Sequence, residues 1–82
     1  MEEERFLDSL PEEAQNQIWS IAIDLALVED DSRSLPAESR AALRRRYIAR
    51  EGIESHPHAR IIYWIEGGLL REDRALLYRL KR

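Results

Sequence analysis

The stretch SHPHARIIYWIEGG, residues 55–68, decides how this chain folds. It sets two histidines around a proline, then Ile61, Ile62, Tyr63, Trp64 and Ile65 in an unbroken run, then two glycines. The five apolar residues are all β-branched or aromatic, types enriched in strands. A strand, however, leaves its backbone groups unpaired unless a neighbour supplies an edge, and no second convincing strand exists in the chain. A helix needs no such neighbour. We therefore expect a short helix over residues 56–66, stopped by Gly67-Gly68, with strand pairing across a dimer as the alternative.

On that helix Ile61 and Ile65 fall in one direction, while Ile62, Tyr63 and Trp64 cover three more. A small fold cannot easily bury every side of so short an element. Either the helix threads the centre, or part of it meets a partner. Aromatic residues and arginine are enriched at binding hot spots, which makes Arg60, Tyr63 and Trp64 the candidate partner-binding patch. The alternative is that both aromatics are ordinary core residues with polar tips at the surface. His56 and His58, two apart, suit neither a helical metal face nor a complete ligand set. The chain has no other histidine and no cysteine, so no metal or cofactor is expected.

Working outward, Ser55-His56-Pro57 repeats a chemistry found at Ser9-Leu10-Pro11 and Ser34-Leu35-Pro36. Serine is a strong N-cap and proline suits a first helical turn. Ser9 with Glu12 adds a capping-box pattern. These mark helix starts, or starts one residue later where proline keeps the residue before it out of the helix, and their unequal spacings argue against a repeat array.

The first long helix is expected over residues 10–29, after a short N-terminal helical turn holding Phe6 and Leu7. Its apolar residues, from Ile18 to Val28, leave one narrow polar stripe, Glu13-Gln17-Ser20-Asp24. The second is expected over 35–51, with Leu43, Tyr47 and Ile48 facing the core. Gly52 suits a left-handed stop, with Ile53 folding back beyond it. A fourth helix, 70–81, has the stripe Leu69, Leu76, Leu77 and Leu80, with acids at its start and bases at its end. The expectation is all-α: a compact bundle of four helices in a single domain spanning residues 1–82.

Composition sets the function classes. Eighty-two residues, 44% apolar with three glycines and three prolines, describe a small globular chain. Without cysteine it has no disulfide framework. The longest nearly apolar run, Ile21 to Val28, is too short to span a bilayer, and the MEEERF start is acidic where a targeting peptide would be basic. A soluble, cytoplasmic protein follows. No phosphate loop, metal constellation, nucleophile–base pair or carboxylate pair at useful spacing points to an enzyme.

The net charge of −3 conceals a division. Residues 1–31 hold ten acids and only Arg5 as a base, whereas residues 32–82 hold twelve bases, eleven of them arginine, against six acids. Helix two stacks Arg40 over Arg44 and Arg46 over Arg50, like charges four apart that repel. No acid lies three or four positions from Arg44, Arg45 or Arg46. Their counter-charges must come from the acidic first third (Glu2 to Glu4, Glu12, Glu13, and Glu29 to Asp31), from a partner protein, or from nucleic-acid phosphates. Against the last, Arg40, Arg44, Arg45, Arg46 and Arg50 point around most of the helix, and the chain as a whole is acidic. A helix-turn-helix through Gly52 would offer only His58 and Arg60 near the start of its reading helix, and no Asn, Gln or Lys for base edges.

His56-Pro57 followed by Ile62-Tyr63-Trp64 resembles the segment entering and forming the short third helix of colicin-type DNase immunity proteins. Those are four-helix inhibitors of similar length, and the resemblance implies tight binding of a nuclease through Tyr63 and its neighbours. It covers about ten residues. The spacing is one residue shorter than the family's, and His58-Ala59-Arg60 replaces its small and acidic residues. No proline follows Trp64, and helix two is arginine-rich where the family's is acidic.

The expected function is thus a small non-enzymatic interaction protein (a regulator, inhibitor or antitoxin-like subunit) that binds another protein. The alternatives are a nucleic-acid-binding module using the arginines of helix two and an immunity-like nuclease inhibitor. A homodimer is a further way to cover the apolar helix.

Overall fold

The computed structural model describes residues 2–71. Among them the fold is all-α: α1 (Glu2–Ser9), α2 (Glu12–Asp31), α3 (Ala37–Arg50), a 3-10 turn (Ile53–Ser55) and α4 (Ala59–Leu70), with no strand. The expected helix at 70–81, with its leucine stripe and terminal charges, lies outside the described residues. No described helix is long and apolar enough to cross a membrane.

Helix α2 is the spine, packing against both α3 and α4, while α1 and the 3-10 turn close the ends. Ile18, Ala22, Leu25 and Ala26 of α2 meet Ile61, Ile62, Ile65 and Leu69 of α4, with Leu7, Tyr47 and Ile53 completing the core. Burying each large aliphatic side chain contributes about 1.5–3 kcal/mol, which holds so small a fold together. The helix α4 that the strand-prone residues form is therefore the centre of the core on one face.

Three expectations about helix ends need correction. The N-caps of α2 and α3 are Pro11 and Pro36 themselves, both extended (φ −58°, ψ 152° and 154°), and neither helix has a side-chain cap. Proline disfavours the helical conformation in the residue before it, so the helix cannot reach back to the serine two positions upstream. Ser9 instead ends α1, its hydroxyl donating to the Phe6 carbonyl at 2.6 Å. Gln15 takes over the junction, its amide donating to the carbonyls of Leu7 (3.1 Å) and Leu10 (3.0 Å). At α4, Ser55 belongs to the 3-10 turn and the N-cap is His58. The His56 Nδ1 accepts the His58 backbone N–H at 3.0 Å, closing the turn where the serine hydroxyl was expected.

The second correction is that α4 does not stop at residue 66. It starts at Ala59, later than the expected 56, and runs through Gly67-Gly68 to Leu70. Two helical glycines cost about 1 kcal/mol each relative to alanine. Leu69, 2% exposed, offsets that cost by docking in the core, and Gly68 lies on the same buried side. Third, the N-terminal turn is a full two-turn helix, anchored by buried Leu7.

The stop of α3 follows the sequence. Gly52 is left-handed (φ 64°, ψ 32°), its N–H donates to the Ala49 carbonyl at 3.2 Å, and Ile53 beyond it is fully buried. A non-glycine residue in that conformation carries a penalty of about 1–2 kcal/mol.

Candidate interaction surfaces

The arginines of α3 divide into two groups. Arg40 and Arg44 turn inward onto Glu29 of α2: Arg40 Nη2 lies 3.1 Å from Glu29 Oε2, and Arg44 Nη1 lies 2.8 Å from Oε1. Arg44 Nε also reaches Glu66 Oε1 of α4 at 3.4 Å, so one guanidinium ties three helices. The carboxylate between them relieves the repulsion that the sequence exposes. Glu29 is itself buried. It sits on the same side of α2 as Ile18, Ala22 and Leu25, at helical spacings of three and four. The sequence offers Glu29 to Asp31 among the candidate counter-charges for these arginines, and the structure singles out Glu29; the expected end of the helix at residue 29 is what needs correction. The helix in fact continues to Asp31, and its C-cap Ser32 is buried with its hydroxyl donating to the Val28 carbonyl at 2.7 Å.

Arg45, Arg46 and Arg50 face solvent. Arg45 and Arg46 have no ion-pair partner among the described residues, and Arg50 meets only its neighbour Glu51, at 3.4 Å. The Arg50 guanidinium also lies 5.5 Å from the centre of the Tyr47 ring. Tyr47 is buried, and its hydroxyl donates a long 3.5 Å hydrogen bond to Asp24. Burial, the Asp24 and Glu51 charges and that hydrogen bond push its phenol up to about 12, with Arg50 pulling the other way. Asp24 lies on the solvated stripe, as its sequence position suggests, and the exposed Leu27 continues that stripe.

The candidate patch occupies the outer side of α4. Around the helix the order is Tyr63, Arg60, Trp64, Ile61, spanning about 160° from the exposed to the buried side. Tyr63 is 40% exposed and Arg60 lies in solvent, whereas Trp64 is half-buried and packs against the core. Tyr63 is thus a surface residue and Trp64 an intermediate one. Helix α1, which packs against α4, presents Phe6, 44% exposed. A groove of about 290 Å³ runs between α1 and α4, lined by Glu2, Glu3, Arg5, Phe6, Arg60 and Ile61. Arg60 spans its rim to Glu2 at 3.3 Å, both side chains being largely exposed. Such a contact is easily exchanged for an external partner.

His56 and His58 stand with ring centres 5.6 Å apart at the start of α4. Among the described residues, no group of three or more His, Cys, Asp or Glu is arranged to hold a metal ion. Comparison with protein-family profiles, with curated proteins and with solved structures finds no match to this chain.

Proposed function

We propose that this chain is a small, non-enzymatic, cytoplasmic interaction protein, a regulator, inhibitor or antitoxin-like subunit that acts by binding another protein. The observation that carries the reading is the outer side of α4 with α1. On α4 the exposed Tyr63 and half-buried Trp64 flank Arg60, and the exposed Phe6 of α1 lines a groove together with Arg60 and Ile61. Exposed aromatics around an arginine on rigid helices have the composition of a hot spot and lose little conformational freedom on binding. An immunity-like inhibitor of a nuclease would use the same side of α4.

The nucleic-acid reading loses support because Arg40 and Arg44 are already paired with carboxylates of the chain. Of the five arginines that reading rests on, this leaves Arg45, Arg46 and Arg50 to meet phosphates, which weakens the footprint of α3.

The test is affinity capture from the cells that make the protein, using wild type and the Arg60→Glu/Tyr63→Ala variant as baits, both verified as helical. Wild type retains a discrete protein that the variant loses, and direct titration of that protein gives at least a thirtyfold difference, which corresponds to about 2 kcal/mol. Equal retention by both baits, or retention of nucleic acid alone, refutes the reading.

A further inference from the structure

A second groove, remote in sequence from the α1–α4 surface, lies where the end of α2 meets α3. It encloses about 330 Å³, within the size range of ligand-binding clefts. Its floor is the half-buried Val28 and Leu43 with the Tyr47 ring, its cationic rim is Arg46 and Arg50, and its opposite wall is Asp31 and Ser32. Arg46 and Arg50 are one turn apart, about 6 Å along the helix, so both reach one side of the groove. Neither is held by a strong internal contact: Arg46 has no ion-pair partner among the described residues, and Arg50 only the exposed Glu51.

We infer that this groove docks an acidic peptide segment of a partner protein. One carboxylate of the segment is gripped by Arg46 and Arg50, and a neighbouring aliphatic side chain rests on Val28 and Leu43. Charge complementarity and the apolar floor select this occupant. Arginine's planar fork matches a carboxylate with two parallel hydrogen bonds. The opposite wall disfavours a polyphosphate, whose charges would extend across the groove to the Asp31 carboxylate. A peptide tolerates that wall because its backbone N–H groups can donate to it.

Arg45 supplies the internal control. It lies on the same helix and is exposed, but about 160° around from Leu43, away from the groove. Arg45→Glu and Arg46→Glu therefore change the net charge equally while only one touches the site. The experiment measures fluorescence anisotropy of a short labelled peptide of repeating Glu-Leu-Ser against the full chain at low salt. A Gln-Leu-Ser peptide and a DNA duplex serve as comparison probes. Wild type and Arg45→Glu bind the acidic peptide within about twofold of each other, Arg46→Glu and Arg50→Glu bind at least about tenfold more weakly, and the Gln peptide is not bound.

Failure to bind the acidic peptide overturns the inference, as does equal weakening by Arg45→Glu. Binding of the Gln peptide as tightly as the Glu peptide removes the carboxylate from the site. Tighter binding of the duplex, sensitive to Arg46→Glu, replaces the peptide with nucleic acid. Self-association of the chain without peptide, abolished by Arg46→Glu, identifies the occupant as a second copy and likewise overturns it.

Discussion

Replacing Glu29 with glutamine removes the charge beneath α3 while nearly preserving shape. The carboxylate side chain is only 7% exposed and holds guanidinium groups at 2.8 and 3.1 Å. At an effective dielectric near 20, each contact represents about 4 kcal/mol of attraction, offset in the intact protein by the cost of drying the carboxylate. Breaking a fully buried pair by removing one partner costs about 3–5 kcal/mol. Two features lower that figure here. Arg40 is one-third exposed and can turn to water, and Arg44 keeps Glu66 at 3.4 Å. We therefore expect a loss of about 2–3 kcal/mol, read by urea unfolding at neutral pH with circular dichroism. The melting temperature should fall by roughly 10–20 °C. Glu66→Gln breaks only the longer, partly exposed contact and should cost under about 1 kcal/mol. A Glu29→Gln loss below about 0.5 kcal/mol, or one equal to that of Glu66→Gln, would refute the reasoning and return Arg40 and Arg44 to the pool of cations free for an outside ligand.

Gly67→Ala should stabilise the protein by about 0.5–1 kcal/mol in the same assay. The helix continues through this position, and an added methyl group would meet only the end of Arg71 at an ordinary 3.5 Å. Destabilisation would mean that the double glycine ends the helix after all. Tyr47 gives a pH signature: its phenol is held up at about 12 against the usual 10.0. The neutral phenol is the form the fold favours, so this contribution is complete below pH 10 and is lost as pH rises toward 12. Tyr47→Phe should remove that alkaline loss from the unfolding free energy, and an unchanged pH profile would contradict the assignment.

The all-α architecture was legible because no partner strand existed for Ile61 to Ile65, whatever their individual propensities. The left-handed Gly52 with Ile53 beyond it was equally legible, since one residue's backbone freedom and one apolar neighbour determine that stop. The double glycine misled. Its local preference is weaker than the burial of Leu69, and only the packed core reveals that Leu69 docks. The serines misled for a different reason: Ser9 and Ser34 share a motif with true caps, but the proline two residues later confines the helix start to itself. Glu29 was legible only as one of several candidate counter-charges for the arginines of α3. Its place on the apolar side of α2 was readable from its spacing to Leu25, but its pairing with Arg40 and Arg44 depends on the angle at which α3 returns. Tyr63 and Trp64 differ in exposure because the buried arc of α4 is centred on Ile65, a direction set by α2 rather than by the residues of α4.

The most direct test of protein binding through α4 is photocrosslinking in the cells that make the chain. A benzophenone amino acid replaces Tyr63 in one variant and Leu27 in another, both exposed positions, the latter on the solvated stripe of α2. The account predicts a discrete crosslinked protein from position 63 and none from position 27. The same adducts at both positions, or no protein adduct at 63, would contradict it.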